Sequence, residues 1–417
     1  MDLVVIGLGY VGLPLVQEAC RAGHAVTGLD VSEQRVAGLN EGISHVDDLS
    51  DADLGDLLEA GFKATTDPTC LASADVVVIC VPTPLQPEGN PDLGAVTGAT
   101  STVAAHLSPG TLVVLESTTY PGTTDDVVRP LLEEGSGLEA GADFALAYSP
   151  ERIDPGNREY TLRNTPKVVG GHTDACRDRA VEFYATIVDD VVPTVGTREA
   201  ELSKLLENTY RHVNIALMNE MAIFSADLGV DLWAAIEAAK TKPFGYTAFY
   251  PGPGVGGHCI PIDPNYLSFA VRSLGYQFRF VELAQEISGR MPAYIATRAQ
   301  SALNEAKLAV NGSRILLLGV AYKANISDER ESPARPLAAR LQQMGADVVY
   351  FDPYVERFET ENGDLPRSDD LESAAATADL VILVQSHDEI VSSPHLASAA
   401  RILDTRGVLT GPNVERL

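Results

Sequence analysis

The chain has 417 residues, 45% hydrophobic and 21% charged, the balance of a soluble globular protein too long for one ordinary core, so two or three domains are expected. Its 58 acidic and 30 basic side chains give a formal net charge of -28, which repels phosphate backbones and excludes a nucleic-acid partner, though not a small anion held by local N–H groups. Five cysteines at irregular spacing, without a CxxC pair or a zinc-type Cys/His cluster, point to a reducing compartment and no metal. With no signal-like start and no apolar run near ~18 residues, the protein is expected to be cytoplasmic and to engage no membrane.

Leu3-Val4-Val5-Ile6 reads as a buried strand that runs straight into Gly7. A helix is expected over 12–22, then a strand over 25–29 ending at Asp30, and further strands over 76–81, 112–116 and 144–148. Helical periodicity lies between them, at 95–106 and 124–134. Strands alternating with helices mean a parallel sheet covered on both faces. The texture then changes: 199–230 and 282–309 are rich in helix formers, with Pro292 the single internal proline. Towards the C-terminus the first pattern returns, with strands over 315–318 ending at Gly319, 347–351 ending at Asp352, 379–384 and 401–403. The fold class is therefore α/β, with two Rossmann-like, doubly wound parallel-sheet domains joined by a long-helix domain. The expected boundaries are 1–196, 197–309 and 310–417, the last marked by an Asn-Gly turn. The helical middle is the natural surface for a homodimer.

Gly7-Leu8-Gly9-Tyr10-Val11-Gly12 fits G-x-G-x-x-G, directly after a strand and opening a helix, and Asp30 ends the next strand 18 residues beyond Gly12. Gly7 permits the tight turn, Gly9 lets the backbone approach a pyrophosphate, and Gly12 lets the helix pack close. The helix N-terminus then presents N–H donors to the phosphates. Asp30 suits the two ribose hydroxyls and repels a 2′-phosphate, which predicts NAD rather than NADP. Gly319 lacks the triplet, so the second domain is either degenerate packing or a holder for the nucleotide half of a substrate.

Residues 249–264 are too rich in glycine and proline for a helix or central strand. They form a shaped loop with Cys259 and Asp263 at its far end, where a helix begins, and a thiol at a helix N-terminus is biased towards the reactive thiolate. Cys80 falls in a strand, Cys20 and Cys176 in helices and Cys70 at the edge of one, so these read as packed thiols. His258 is read as a loop residue, since sequence neighbours rarely face one another. Lys204, Asn208 and Arg211 share a helix face at i, i+4 and i+7. That face reads equally as a solvated stripe or as the wall of a cleft.

Taken together these residues resemble the UDP-glucose/GDP-mannose dehydrogenase family over nearly the whole chain. The matching motifs are residues 7–14, Val81-Pro82-Thr83-Pro84, Glu116-Ser117-Thr118, Ser149-Pro150-Glu151-Arg152, and residues 201–214, 254–264 and 319–333. The strings YSPERIDPGN, KPFGYTAFYPGPGVGGHCIPIDP and SDERESPA are most similar to the UDP-N-acetylglucosamine or N-acetylmannosamine 6-dehydrogenase branch. The resemblance implies oxidation of a UDP-sugar primary alcohol to the acid with two NAD and no metal, through a thiohemiacetal and a thioester on Cys259. It assigns oxyanion stabilisation to Lys204 and Asn208, base or water positioning to Asp263, a water contact to Thr118 and a second general base to Glu151. Tyr10, Val11, Arg35, Pro82, Thr83, Ser117, Thr118 and Arg330 join Gly7, Gly9, Gly12 and Asp30 as implied cofactor contacts. Arg152, Arg211, Phe249, Tyr250, Gly252, Gly256 and Lys323 join Glu151, Lys204 and Asn208 as implied substrate contacts, Lys323 at the diphosphate.

The glucose-oxidising members read GGSCFPKD, where this chain has His258 and Ile262 in place of serine and lysine, and they carry a second glutamate where this chain has Pro155. Both departures suit an N-acetylhexosamine better than UDP-glucose, which stays as the alternative substrate. Two readings of other kinds are a two-electron hydroxyacid-type dehydrogenase, which needs neither Cys259 nor a second α/β domain, and a silent nucleotide-sugar-binding protein.

Overall fold

The structure is a computed structural model that describes residues 1–417 except 47, 48, 87, 88, 155, 156, 158 and 258, and the backbone but not the side chain of Cys259. The chain divides into two compact units, Met1–Glu207 with Asn265–Gln277, and Asn208–Pro264 with Phe278–Leu417.

The first unit is built on eight strands: β1 (Asp2–Ile6), β2 (Ala25–Leu29), β3 (Lys63–Thr65), β4 (Val76–Ile79), β5 (Leu112–Leu115), β6 (Ala145–Tyr148), β7 (Lys167–Gly171) and β8 (Val191–Pro193). They lie in the order β3-β2-β1-β4-β5-β6-β7-β8, parallel except where β7 meets β6. Parallel pairing needs long crossovers, and helices such as Gly12–Arg21 and Gly94–Ala104 supply them. They cover both faces, so β4 and β5 read VVVI and LVVL and are buried throughout. Leu3, Val5, Val76, Val78, Leu112 and Val114 pack on one face. Val4, Ile6, Val77, Ile79, Val113 and Leu115 pack on the other. Each such side chain contributes roughly 1.5–3 kcal/mol by leaving water.

The second unit repeats the device with β9 (Arg314–Leu318), β10 (Asp347–Phe351), the small hairpin β11 (Glu359–Thr360) and β12 (Gly363–Asp364), then β13 (Leu380–Leu383), β14 (Ile402–Asp404) and β15 (Val414–Arg416). The five-stranded sheet has the order β10-β9-β13-β14-β15 and is parallel throughout. Its core includes Met291, Ile295 and Ala299 of the helix Arg279–Glu305. In both sheets the strand order reverses beside the first strand, between β1 and β4 and between β9 and β13. Ligands of open α/β sheets bind outside the carboxyl ends of the strands at such a reversal.

Rossmann-like parallel sheets with helical regions are thus observed. The helices expected over 199–230 and 282–309 are Thr197–Asp227 and Arg279–Glu305, and among the described residues no strand lies between them. The helix expected over 124–134 begins as a π-turn, Thr124–Val128, before Arg129–Ser136. β3, β7, β8, β11, β12 and β15 were not expected. β7 reads KVVGG, and a buried charge with two glycines hides the strand signal. Among the described residues no helix is long and apolar enough to cross a membrane, and no cluster of His, Cys, Asp or Glu could hold a metal.

Candidate active site

In the first unit the glycine turn has the shape its spacing predicts. Gly7 has φ +92°, and a Cβ there would stand 2.6 Å from the Cys80 carbonyl oxygen. A Cβ on Gly12 would stand 2.0 Å from the Gly7 oxygen, so only glycine lets the helix approach. A Cβ built on Gly9 would meet none of the described residues within 4 Å, which leaves open space where a pyrophosphate would need it. Tyr10 and Val11 are half-buried, and the N-cap residue Val11 makes no side-chain capping bond to the helix Gly12–Arg21. Asp30 accepts from Leu8 N–H at 2.9 Å, from Ser32 N–H at 2.9 Å and from Arg35 at 2.9 Å. Burial raises its pKa, but these donors outweigh burial and hold it below the ordinary value. A glycine cradle with open space, an uncapped helix end and an ionised acid at the ribose position fit an NAD(P)-type dinucleotide.

The remaining implied groups of this unit stand at the ends of β4, β5 and β6. Thr83 is buried and Pro82 exposed after β4. Ser117, after β5, donates to the Val81 oxygen at 2.7 Å, and Thr118 beside it is half-buried. After β6 comes Glu151, whose carbonyl oxygen accepts from Lys204 Nζ at 2.6 Å and whose carboxylate lies 3.4 Å from the same ammonium. Both side chains are buried, so each charge depends on the other. Arg152 pairs with Glu207 at 2.9 Å.

Two groups of this unit escaped the sequence reading. Lys167 and Glu116, both buried, pair at 3.0 Å, with Tyr184 donating to the same Glu116 carboxylate. Lys167 also donates to the Pro150 oxygen at 3.3 Å, directly before Glu151. Tyr266, fully buried, donates to the Thr83 oxygen at 2.6 Å and so fixes the segment after β4. Both act at long sequence separation, and no local pattern announces them.

In the second unit Asn208 donates from Nδ2 to Asp263 at 2.5 Å, with both side chains buried. Asn219, three turns further along the same helix, accepts from Gly252 N–H at 2.9 Å. Asp263 lies in the helix Cys259–Ser273, which does begin at Cys259. The Cys259 side chain and His258 lie outside the described residues. Arg211 is exposed, whereas Lys204, Asn208 and His212 are among the buried polar residues of the long helix. Among the described residues neither ring nitrogen of His212 has a hydrogen-bond partner, and burial pushes its pKa down to about 4. Phe249 is half-buried; Tyr250 is exposed, stacks on Trp233 and donates to Glu237 at 2.5 Å. Arg330 holds Asp328 through three short contacts, and Lys323 is half-buried in the turn after β9. Arg406 is a further missed group: it follows β14, donates to the Val384 oxygen at 2.7 Å, and reaches within 3.2 Å of a Cβ built on Gly252. Burial lowers its pKa to about 10, and among the described residues no carboxylate pairs with it. A half-buried guanidinium beside the glycine loop, with the Asp404 charge near it, is suited to an anionic ligand.

Profiles of one family cover three successive stretches of the chain. The NAD binding domain of the UDP-glucose/GDP-mannose dehydrogenase family matches residues 1–188, its central domain 198–289 and its UDP binding domain 316–411. UDP-N-acetyl-D-glucosamine 6-dehydrogenase from Pseudomonas aeruginosa is 36% identical over 361 residues, 85% of this chain and 83% of its own. UDP-N-acetyl-D-mannosamine dehydrogenase from Pyrococcus horikoshii is 34% identical over 421 residues, 99% of this chain and 97% of its own. The solved UDP-D-ManNAc dehydrogenase from Pyrococcus horikoshii superposes with a TM-score of 0.91 at 34% identity, covering 100% of this chain and 99% of that one. With glycine turn, strand-end acids and paired sheets matched along its length, the chain belongs to the UDP-glucose/GDP-mannose dehydrogenase family, closely related to its UDP-N-acetylmannosamine and UDP-N-acetylglucosamine 6-dehydrogenase branch.

Proposed function

We propose that the protein oxidises the C6 primary alcohol of a UDP-N-acetylhexosamine to the uronic acid, a four-electron reaction with Cys259 as covalent nucleophile. NAD, when bound at the glycine turn, supplies the hydride acceptor for both oxidations. Gly7, Gly9, Gly12 and the helix that follows would hold its diphosphate, and Asp30 with Arg35 its ribose, which favours NAD over NADP. Tyr10, Val11, Pro82, Thr83, Ser117, Thr118 and Arg330 complete that assignment.

Lys204 and Asn208 stabilise negative charge on the C6 oxygen, as a buried ammonium and a buried amide donor can in a low-dielectric setting. The Cys259 thiolate adds to the C6 aldehyde, forming a C–S bond while the carbonyl electron pair moves to oxygen. Held as a thiohemiacetal, the carbon keeps one C–H for the second oxidation and cannot escape as free aldehyde. Water then attacks the resulting thioester and releases the thiolate; Asp263, oriented by Asn208, with Glu151 and Thr118, positions that water and takes its proton. Lys323 and Arg406 meet the diphosphate, and Arg152, Arg211, Phe249, Tyr250, Gly252 and Gly256 frame the sugar. In this reading residues 1–196 bind the cofactor, 197–309 carry the catalytic loop and a homodimer contact, and 310–417 bind the UDP-sugar. Free Cys20, Cys70, Cys80 and Cys176 suit a cytoplasmic site.

The observation that carries the reading is the hydrogen bond from Asn208, on the long helix Thr197–Asp227, to Asp263 on the helix that opens at Cys259. Assay of NADH formation against UDP-N-acetylhexosamines, UDP-glucose and TDP- and GDP-sugars tests it. Two NADH per substrate, highest kcat/KM for a UDP-N-acetylhexosamine, and collapse of turnover in Cys259→Ser with NAD binding intact are expected. A single NADH per substrate points instead to a two-electron hydroxyacid-type enzyme.

A further inference from the structure

The turn after β9 and the glycine loop before Cys259 are packed into one another. Tyr322 lies in that turn, one residue before Lys323. A Cβ on Gly257 would stand 2.6 Å from Tyr322 Cε2, and one on Gly256 would stand 2.7 Å from Tyr322 Cβ. Gly257 admits no side chain while the ring is there, and Gly256 is closed off by the Tyr322 Cβ and the Glu331 oxygen. Gly257, at φ +80°, also donates its N–H to the Arg330 oxygen at 2.9 Å. A Cβ on Gly256 would lie 2.8 Å from the Glu331 oxygen, and one on Gly254 3.2 Å from Pro333. Glu331 itself is held at φ +50°, a left-handed conformation that a side-chain-bearing residue keeps only when its surroundings impose it.

The Tyr322 ring is placed from below by the sheet. Its N–H donates to the Asp328 oxygen at 3.0 Å, and its own oxygen accepts from Gln385 Nε2 at 2.7 Å. Gln385 follows β13 and packs on Gly319, where a Cβ would meet the Gln385 oxygen at 2.4 Å. One short turn at the strand-order reversal therefore carries both Lys323 and the wedge that shapes the loop leading to Cys259.

We propose that Tyr322 is a positioning residue that couples nucleoside-diphosphate binding at the turn after β9 to the placement of Cys259, so that the nucleotide half of the substrate raises turnover and not binding alone. The inference rests on the functional reading above, in which Lys323 meets the diphosphate. A ligand biases the loop only through contacts that differ between its arrangements, and the turn shared by Lys323 and Tyr322 is where a bound diphosphate would make them. Binding energy from a non-reacting part of the substrate is in this way converted into rate.

The test uses the full-length protein and UDP, which carries the diphosphate but no sugar. Alkylation of Cys259 by iodoacetamide is followed by peptide mass mapping, which separates it from the other cysteines. Saturating UDP is expected to slow labelling of Cys259 by ~5-fold or more in the wild type. In Tyr322→Ala the UDP response is expected to vanish while UDP and NAD affinities stay within about 3-fold, and kcat to fall by ~10-fold or more with KM little changed. Tyr322→Phe, which keeps the ring, restores both; Tyr322→Leu replaces the alanine variant if the latter does not fold. Persistence of the UDP response in Tyr322→Ala means simple shielding by the ligand and overturns the coupling, as does loss of UDP affinity in step with kcat. A wild type that binds no UDP overturns the functional reading, a result that the affinity measurement separates from failure of the coupling alone.

Discussion

His387 donates from Nε2 to Asp352 at 3.1 Å, and neither side chain has any exposed surface. The tautomer is set from the other side, because His387 Nδ1 accepts from Asn325 N–H at 2.9 Å. Asp352 accepts as well from the N–H groups of Val320, Ala321, Tyr354 and Val355. Burial raises its pKa, but the hydrogen bonds from His387 and the backbone N–H groups outweigh burial and hold it below the ordinary value. The pair thus pins the turn that bears Lys323. His387→Ala leaves Asp352 with its backbone donors but strands the Asn325 N–H, at an expected loss of about 1–3 kcal/mol in urea unfolding. His387→Asn, which keeps an acceptor for Asn325, should lose less. UDP affinity should fall in the order of the stability loss while NAD affinity does not move.

Asp30 and Asp352 end corresponding strands and each accepts a backbone N–H from the glycine turn of its own sheet. They differ in what else they hold. Asp352 is enclosed by four N–H groups and an imidazole, whereas Asp30 faces Arg35, whose side chain is 41% exposed and can shift to admit a ribose. This explains why one turn suits a dinucleotide ribose and the other does not. Asp30→Ser is expected to lower kcat/KM for NAD by ~10- to 100-fold, since the acid ties down Leu8 and, in the proposed reading, bonds the ribose, and to raise the NADP-to-NAD ratio of kcat/KM. Steady-state rates with both cofactors decide the matter; an unchanged ratio removes Asp30 from cofactor choice.

Residues 7–12 and Asp30 were legible because turn, helix and strand end are joined within 24 residues, and each glycine answers a local steric demand. The buried face of the long helix was only half legible. Positions i+7 and i+8 from Lys204 straddle one direction on the helix, and only packing decides that His212 turns inward and Arg211 outward. Lys167–Glu116 spans 51 residues, and Arg406 lies far along the chain from the loop it approaches. Such contacts are products of topology, and no spacing rule reaches them. The left-handed backbone at Glu331 is hidden for another reason: a positive φ at a glutamate has no composition cue at all.

The long helix Thr197–Asp227 also carries an apolar stripe in the open. Leu206, Tyr210, Leu217 and Phe224 are 62, 49, 48 and 45% exposed, and at 100° per residue they fall within a narrow arc of the helix. A seam of this kind marks an association surface, and its self-complementary form is a two-fold contact between copies. Leu206→Glu with Leu217→Glu is expected to yield a monomer by sedimentation, with the far-UV spectrum retained. A wild type that sediments as a monomer at micromolar concentration would refute the dimer.

Two buried groups give stability an opposed dependence on pH. Burial raises Glu201 to about 7 despite hydrogen bonds from Thr124 and Gly122. Between the unfolded value of 4.5 and 7, the folded chain keeps a proton that the unfolded chain has lost, so stability falls as pH rises through that window. Burial lowers His212 to about 4, so between 6.5 and 4 the unfolded chain takes up a proton that the folded chain refuses, and stability falls as pH drops. The windows overlap, and in the wild type the slopes cancel in part. Differences between variant and wild type expose them. Relative to wild type, His212→Leu should gain stability as pH falls from 6.5 towards 4, and Glu201→Gln should gain as pH rises from 4.5 to 7, each change being on the order of 3 kcal/mol. Trp233, the single tryptophan, lies in the same compact unit as His212 and reports its unfolding by fluorescence, while circular dichroism follows the whole chain. Unfolding free energies of His212→Leu that run parallel to the wild type between pH 6.5 and 4.5 would mean that the imidazole finds a proton or a partner in the fold, and that the buried polar face of the helix is satisfied without a ligand.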